Sequence, residues 1–303
     1  MDNILSLRDV VKTYHNHTAV DQVTFDVTKG SIFGLLGPNG AGKTSLIRII
    51  TTITGADEGE IYLDGEKLSL DHPNYIGYMP EERGLYKKMK VGEQLLYLAQ
   101  LKGLSLNKAK SNIHSWMEKF GILDWWDKKV EELSKGMQQK IQFIATVMHE
   151  PKLLILDEPF SGLDPVNTNL IKDEIRQLNE QGTSIIFSTH RMEQVEEICN
   201  DIVLIDKGKK VLEGRVSEIK DKFKENKYRM GFKGILPADI SRETFDVVKD
   251  TEDDLIIQVR EGHRGNEFLS TLINRGVEIQ HYEEILPSLN EIFIKQVEGK
   301  TYE

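Results

Sequence analysis

Residues 37–44 read GPNGAGKT, preceded by the apolar run SIFGLLG and followed by KTSLIRIITT. The spacing G-x-x-x-x-G-K-[ST] between a strand and a helix restricts the chain to a small set of folds. Glycines let successive backbone N–H groups turn inward on an anion, and the following helix aims its positive end at the same point. In that cradle Lys43 reaches the β/γ oxygens of a nucleotide, and the Thr44 hydroxyl is a ligand for Mg²⁺.

Two further segments belong to the same chemistry. LLILDE runs four apolar residues into Asp157 and Glu158, two carboxylates at a strand end. Asp157 is expected to hold the metal through water and Glu158 to polarise the attacking water. His190 ends another apolar strand, SIIFST, and is expected to sense the γ-phosphate. Alone, the carboxylate pair also reads as a solvated strand end, and a lone histidine is more often structural than catalytic; the cradle beside them favours the functional reading.

Apolar runs alternate with amphipathic ones: KLLILD then PVNTNLIKDEIRQLNEQ, TSIIFSTH then RMEQVEEICN, then DIVLID. This alternation predicts an α/β domain with buried parallel strands whose carboxyl ends share one edge. Between about 84 and 150 helical periodicity replaces it, predicting a helical insertion with Trp116, Trp125 and Trp126 in its packing. A boundary is expected near residue 225. The first domain is then 1–225 and a small α+β accessory domain fills 226–303. No internal repeat or low-complexity tract is present in the sequence.

Charge and cysteine content narrow the partners. Lys plus Arg number 39 against 49 Asp plus Glu, so the net charge of −10 opposes a broad embrace of a phosphate backbone, and no nucleic-acid partner is expected. The one cysteine, Cys199, reads as a small buried apolar residue, which suits a reducing compartment. MDNILSLRDVVKTY has no signal-peptide core, and no apolar run reaches the roughly 20 residues of a membrane-crossing helix. Any membrane crossing is expected from another chain.

Together, in this order, the motifs resemble the ATP-binding cassette ATPases over residues 1 to about 220. The resemblance implies a P-loop cassette fold that binds ATP and Mg²⁺. It implies that Tyr14 stacks on adenine, a contact of about 1–3 kcal/mol by analogy with base stacking. It assigns Gly37, Pro38, Asn39, Gly40, Ala41, Gly42, Lys43, Thr44 and the adjoining Ser45 to the phosphates, and Thr44, Asp157 and Glu81 to the metal. SGLD, ending at Asp164, resembles the loop that crosses the dimer seam, and His190 the switch histidine.

LSKGMQQK, residues 133–140, resembles the family's signature loop, usually written LSGGQ. Ser134 is a good N-cap, so its helix points a positive end outward at an anion. In the family that anion is the γ-phosphate held by the other subunit, and Ser134 with Gly136 is expected to contact it. Lys135 replaces a glycine and Met137 a glutamine. In IGYMPEERG, Glu81 stands where the family commonly has Gln; a carboxylate orients a metal-bound water but donates no hydrogen bond.

A finer resemblance, to bacterial exporter ATPases of the sodium-efflux (Nat-type) group, rests on PEERGLYKKMKVGEQLLYLAQLKGLS, on ELSKGMQQKIQFIATVMHEPKLLILDEPFSGLDPVN and on the tail LPSLNEIFIKQV. It implies a cytoplasmic ATPase that pairs head to tail with a second cassette and docks on an integral-membrane permease at the inner face of the membrane. Sodium or another ion, a drug or a peptide are the cargo classes it leaves open. A soluble cassette acting on ribosomes or DNA is the rival, disfavoured by the single cassette, the missing heptad run and the acidic balance. A P-loop GTPase is weaker, since NKAK lacks the Asp of the guanine-reading motif. A purely regulatory cassette sits poorly with Glu158.

Overall fold

A computed structural model describes residues 2–82, 84–233, 244–251 and 254–298. The chain divides into two compact units, 1–215 and 216–303. The expectation near 225 falls after the helix Val216–Lys222, which belongs to the second unit.

The first unit opens with two twelve-residue antiparallel strands, β1 (Asn3–Tyr14) and β2 (His17–Thr28). They are joined at a two-residue turn in which His15 takes a left-handed φ of 52°. Next come β3 (Ile32–Leu36), α1 (Lys43–Ile50), β4 (Glu58–Leu63), β5 (Glu66–Lys67) and β6 (Ile76–Met79). The helical segment follows as α2 (Val91–Leu101), α3 (Leu106–Lys119) and α4 (Lys135–Val147). Then β7 (Leu153–Asp157), α5 (Pro165–Glu180), β8 (Ser184–Thr189), α6 (Met192–Ile198), β9 (Asp201–Asp206) and β10 (Lys209–Arg215) complete the unit.

Two sheets result. One has the order β2-β1-β4-β5 and is antiparallel; the other has the order β10-β9-β3-β8-β7-β6, parallel except for β10 at its edge. Every residue of β3, β7 and β8 is buried, as expected of strands covered on both faces. Between the sheets Phe25 stacks on Phe33 at 5.5 Å amid Leu5, Leu35, Leu46 and Ile186. Each such side chain contributes about 1.5–3 kcal/mol on full burial. The antiparallel sheet is a feature that the alternation pattern, tuned to buried parallel strands, does not reveal.

The helical segment packs around aromatic residues. Trp116 lies 6.0 Å from both Phe120 and Phe143. Trp126 covers Gly92 so closely that a Cβ there would meet its ring at 2.3 Å. Both are packing roles, as the sequence suggests. Cys199 is buried, and burial pushes its thiol pKa far up, so it is an inert apolar residue.

The second unit contains α7 (Val216–Lys222), β11 (Lys227–Lys233), β12 (Phe245–Asp250), β13 (Asp254–Val259), α8 (Gly265–Asn274), β14 (Glu278–Ile285) and α9 (Leu289–Glu298). Its antiparallel sheet, β12-β13-β11-β14, has a core of its own that includes Met230, Phe245, Ile257 and Phe268. This is an α+β unit, with β12 as a strand the sequence pattern had not marked. No helix of the described residues is long and apolar enough to cross a membrane.

Candidate functional site

The parallel sheet order explains how distant residues meet. Strands β3, β8, β7 and β6 are neighbours, and their carboxyl ends lead into the 37–44 loop, His190, Asp157–Glu158 and Glu81 respectively. A cleft of about 440 Å³ opens there, lined by Asn39, Gly40, Ala41, Gly42, Lys43, Thr44, Ser45, Glu81, Asp157 and Glu158 together with Tyr14, His17 and Ala19. Tyr14 and His17 face each other across the β1–β2 turn, so the antiparallel sheet supplies one wall.

The loop is built as an anion cradle. Gly42, at the N-cap of α1, has φ 110°, and a Cβ there would lie 2.3 Å from the Ala19 carbonyl oxygen, so a side chain is excluded twice over. Lys43 is 8 % exposed and its Nζ donates to the carbonyls of Gly37 at 2.7 Å and Pro38 at 3.1 Å. Gly37 and Pro38 therefore anchor the lysine from behind rather than line the cleft. Burial lowers the Lys43 pKa, while Asp157, Glu158 and Glu81 pull it back up.

Asp157 and Glu158 are both buried. Burial raises the Asp157 pKa; a Ser188 hydroxyl donated at 2.8 Å lowers it, the Glu158 and Glu81 charges add to the rise, and Lys43 opposes it. Three carboxylates thus face one lysine, a balance that a divalent cation would restore. Among the described residues no three His, Cys, Asp or Glu side chains form a metal site by themselves. The donor set fits an ion that arrives with phosphate oxygens, taking the Thr44 hydroxyl and a water held by Asp157.

Glu158 has a left-handed φ of 51°, which an L-residue adopts only when its surroundings impose it. They do so here through several bonds. The Glu158 N–H donates to the Ser188 carbonyl at 2.9 Å and its own carbonyl accepts from the Ser161 N–H at 3.0 Å. Its carboxylate accepts from the Thr189 hydroxyl at 3.0 Å and from the His190 N–H at 2.8 Å, and Oε1 lies 2.6 Å from the His190 Nδ1. His190 backs Glu158 without lining the cleft.

Ser134, Gly136 and Asp164 also lie off the cleft lining. Ser134 caps α4, accepting from the Met137 N–H at 3.3 Å, and Asp164 caps α5, accepting from the Asn167 N–H at 2.9 Å. The two helix starts adjoin: a Cβ on Gly136 would sit 3.8 Å from Leu163 Cδ2 and 3.9 Å from Asn167 Nδ2. Lys135 is exposed at the first position of α4. Sequence reading missed His17 and Ala19, whose only signal was closeness to Tyr14 along the chain.

Comparison with known proteins identifies the family. The family model described as ABC transporter matches residues 20–161, and that of the ATP-binding protein DrrA1-3-like C-terminal domain matches 214–297. The chain is 45 % identical over 300 residues to the uncharacterized ABC transporter ATP-binding protein YhaQ of Bacillus subtilis (strain 168), covering 99 % of this chain and 100 % of that one. It is 34 % identical over 205 residues to the ABC transporter ATP-binding protein NatA of the same organism, covering 66 % and 83 %. A solved structure of an ATP binding subunit of an ABC transporter superposes with a TM-score of 0.68 at 28 % identity, covering 73 % of this chain and 93 % of that one. The chain belongs to the ATP-binding subunits of ABC transporters.

Proposed function

We propose that the chain hydrolyses ATP at sites shared by two cassettes paired head to tail, and that the cycle drives export through a separate membrane permease. The observation that carries the reading is the single cleft where Tyr14, the 39–45 loop, Glu81, Asp157 and Glu158 converge. Tyr14 stacks on the base, Lys43 exchanges its two loop carbonyls for phosphate oxygens, and Glu158 takes a proton from the attacking water. His190 holds Glu158 in place and senses the γ-phosphate from behind it. Mg²⁺, when bound, neutralises charge developing on the phosphate oxygens. Thr44 and Asp157 hold that ion, and Glu81 orients its water.

Ser134 and Gly136 serve the nucleotide of the second copy, and Asp164 lies at the seam between copies. Support comes from their position: the capped start of α4 contributes nothing to the lining of the chain's own cleft, and the positive end of a helix favours an anion. The permease docks on the helical insertion and the loop around Glu81, where Tyr86 and Tyr97 meet edge to face at 6.3 Å and both are exposed. Export is supported by the resemblance of the 80–105 and 132–167 segments and the tail to the sodium-efflux group. The chain then works in the cytoplasm, at the inner face of the membrane through its permease.

Measuring ATP binding and turnover of Glu158→Gln tests the reading. Retained binding with lost hydrolysis is expected, and wild-type turnover would remove Glu158 from the chemistry. Copurification of the chain with a multi-span membrane protein tests the partner, and recovery on ribosomes instead would favour the soluble alternative.

A further inference from the structure

Glu174, on α5, is 6 % exposed and is the one buried carboxylate outside the nucleotide cleft among the described residues. Its cation comes from the helical insertion. Lys119, in the last turn of α3, places Nζ 2.5 Å from Glu174 Oε2, donates to Gln177 Oε1 and lies over the Trp116 ring at 5.0 Å. The contact with Glu174 is an ion pair, and the aligned N–H of the ammonium goes to Gln177. The Glu174 side chain is 8 % exposed and that of Lys119 39 %, so the carboxylate loses most of its water while the ammonium keeps part of its own, and that desolvation offsets much of the attraction. What the pair does supply is a fixed geometry.

That geometry joins two elements with separate tasks. At its start, α5 carries Asp164 and packs Leu163 and Asn167 beside Gly136 of α4. Ten residues on, about 15 Å down the helix axis, it meets α3 at Glu174. The α3 and α4 helices are themselves locked together, by Phe143 against Trp116 and Phe120 at 6.0 Å and by Asn112 Nδ2 donating to the Met148 carbonyl at 2.8 Å. The insertion therefore rests on α5 at two separated points. Elsewhere α4 is held by Gln139 Nε2 donating to the Pro159 carbonyl at 3.0 Å and Gln142 Nε2 to the Pro80 carbonyl at 2.8 Å, and α2 by Lys102 Nζ donating to the Pro73 and Ile76 carbonyls; the Lys119–Glu174 pair adds the hold of α3 on α5. A rock of about 4° displaces groups about 15 Å from the pivot by about 1 Å, and a misplacement of that size costs up to about 100-fold in rate.

We propose that Lys119 and Glu174 are positioning residues for ATP hydrolysis: the pair sets the angle of the helical insertion on α5, and so the placement of Ser134 and Gly136 relative to Asp164 where two copies meet. The inference rests on the reading that the Ser134 end acts on the second copy's nucleotide.

The test compares thermal midpoint, ATP affinity, KM and kcat of the full-length chain for Lys119→Met alone, for Lys119→Met with Glu174→Leu, for the charge swap Lys119→Glu with Glu174→Lys, and for Ser134→Ala. The apolar double variant is expected to melt no lower than wild type and to bind ATP unchanged, with kcat reduced roughly tenfold or more and KM little altered. The swap is expected to recover part of that kcat. A folded apolar double variant with wild-type kcat overturns the proposal, as does a folded swap no faster than Lys119→Met alone, which also decides the matter if the apolar variant does not fold. Ser134→Ala separates the two layers: if it is slow while the folded strut variants are fast, only the strut fails; if it too turns over at the wild-type rate, the trans reading fails and the proposal with it.

Discussion

Glu158 Oε1 lies 2.6 Å from His190 Nδ1 and accepts the His190 backbone N–H at 2.8 Å, so one histidine grips one carboxylate oxygen twice. With Thr189 on Oε2, the carboxylate is oriented from the sheet side and left to face the cleft. Removing the proton acceptor and removing its holder should therefore have different signatures. Glu158→Gln is expected to keep ATP affinity and lower turnover by roughly 100- to 10,000-fold. His190→Ala, which keeps the base but frees it, is expected to lower kcat by about 10- to 100-fold. Equal rates for His190→Ala and wild type would show that Glu158 needs no such orientation.

Lys43 is expected to act on binding itself. Its ammonium is held by two loop carbonyls at the cleft floor, where phosphate oxygens are the better acceptors. Lys43→Ala should weaken ATP by about ten- to a hundredfold, the worth of a charge-assisted hydrogen bond. A titration giving wild-type affinity would contradict this role.

How much of this was legible in the sequence depends on range. The cradle, the LLILDE strand end and the Ser134 cap are local: a few adjacent residues specify both the conformation and the chemistry, and each appears where its pattern predicts. The edge they share follows from parallel strands having their carboxyl ends on one side. The wall made by His17 and Ala19 depends on a hairpin register, and the Lys119–Glu174 pair joins residues more than fifty positions apart. No local pattern encodes such pairings. The 2.6 Å contact of His190 with Glu158 was equally hidden, because the sequence places both at strand ends but not which end faces which.

Glu81 lines the cleft at the end of β6 and is exposed. If it orients a metal-bound water, Glu81→Gln should keep most of the turnover, since an amide oxygen serves that purpose, while Glu81→Ala should not. Steady-state ATPase assays across a Mg²⁺ titration separate the cases. Indistinguishable curves for Ala and wild type would leave Glu81 as surface charge.

A pH effect is expected far from the cleft. His149 follows α4; its Nε2 lies 3.2 Å from the Ile76 carbonyl, to which Lys102 Nζ also donates at 3.0 Å. Burial first, and then the Lys102 charge, lower the His149 pKa from 6.5 to about 4. The folded value lies below the unfolded one, so the unfolded chain binds the extra proton. Stability from this group is complete above about pH 6.5 and is lost as pH falls toward 4, up to about 3 kcal/mol. His149→Gln keeps a donor for Ile76 but does not titrate. Urea midpoints at pH 7 and 4.5 should fall less for the variant than for wild type, and parallel falls would assign the acid sensitivity elsewhere.

The head-to-tail arrangement makes the strongest demand, because the cleft and the start of α4 must belong to different copies in each working site. Space beside Gly136 ends at Leu163 and Asn167, so Gly136→Asp adds both bulk and a negative charge where a phosphate is expected. It should abolish hydrolysis and leave the chain's own ATP binding nearly intact. Lys43→Ala should weaken the chain's own ATP binding and so also abolish hydrolysis while leaving its Ser134 end intact, and a mixture of the two inactive variants retains one whole site per mixed dimer, with the cradle from the first and Ser134 from the second. Recovery of turnover requires sharing, but a cycle that needs both sites would hide it, so a crosslink is the more direct measurement. With Cys199 replaced, cysteines at Ser134 and near Gly40 in the Glu158→Gln background should join two chains, and only when ATP is present. Crosslinks confined within single chains would eliminate the shared site.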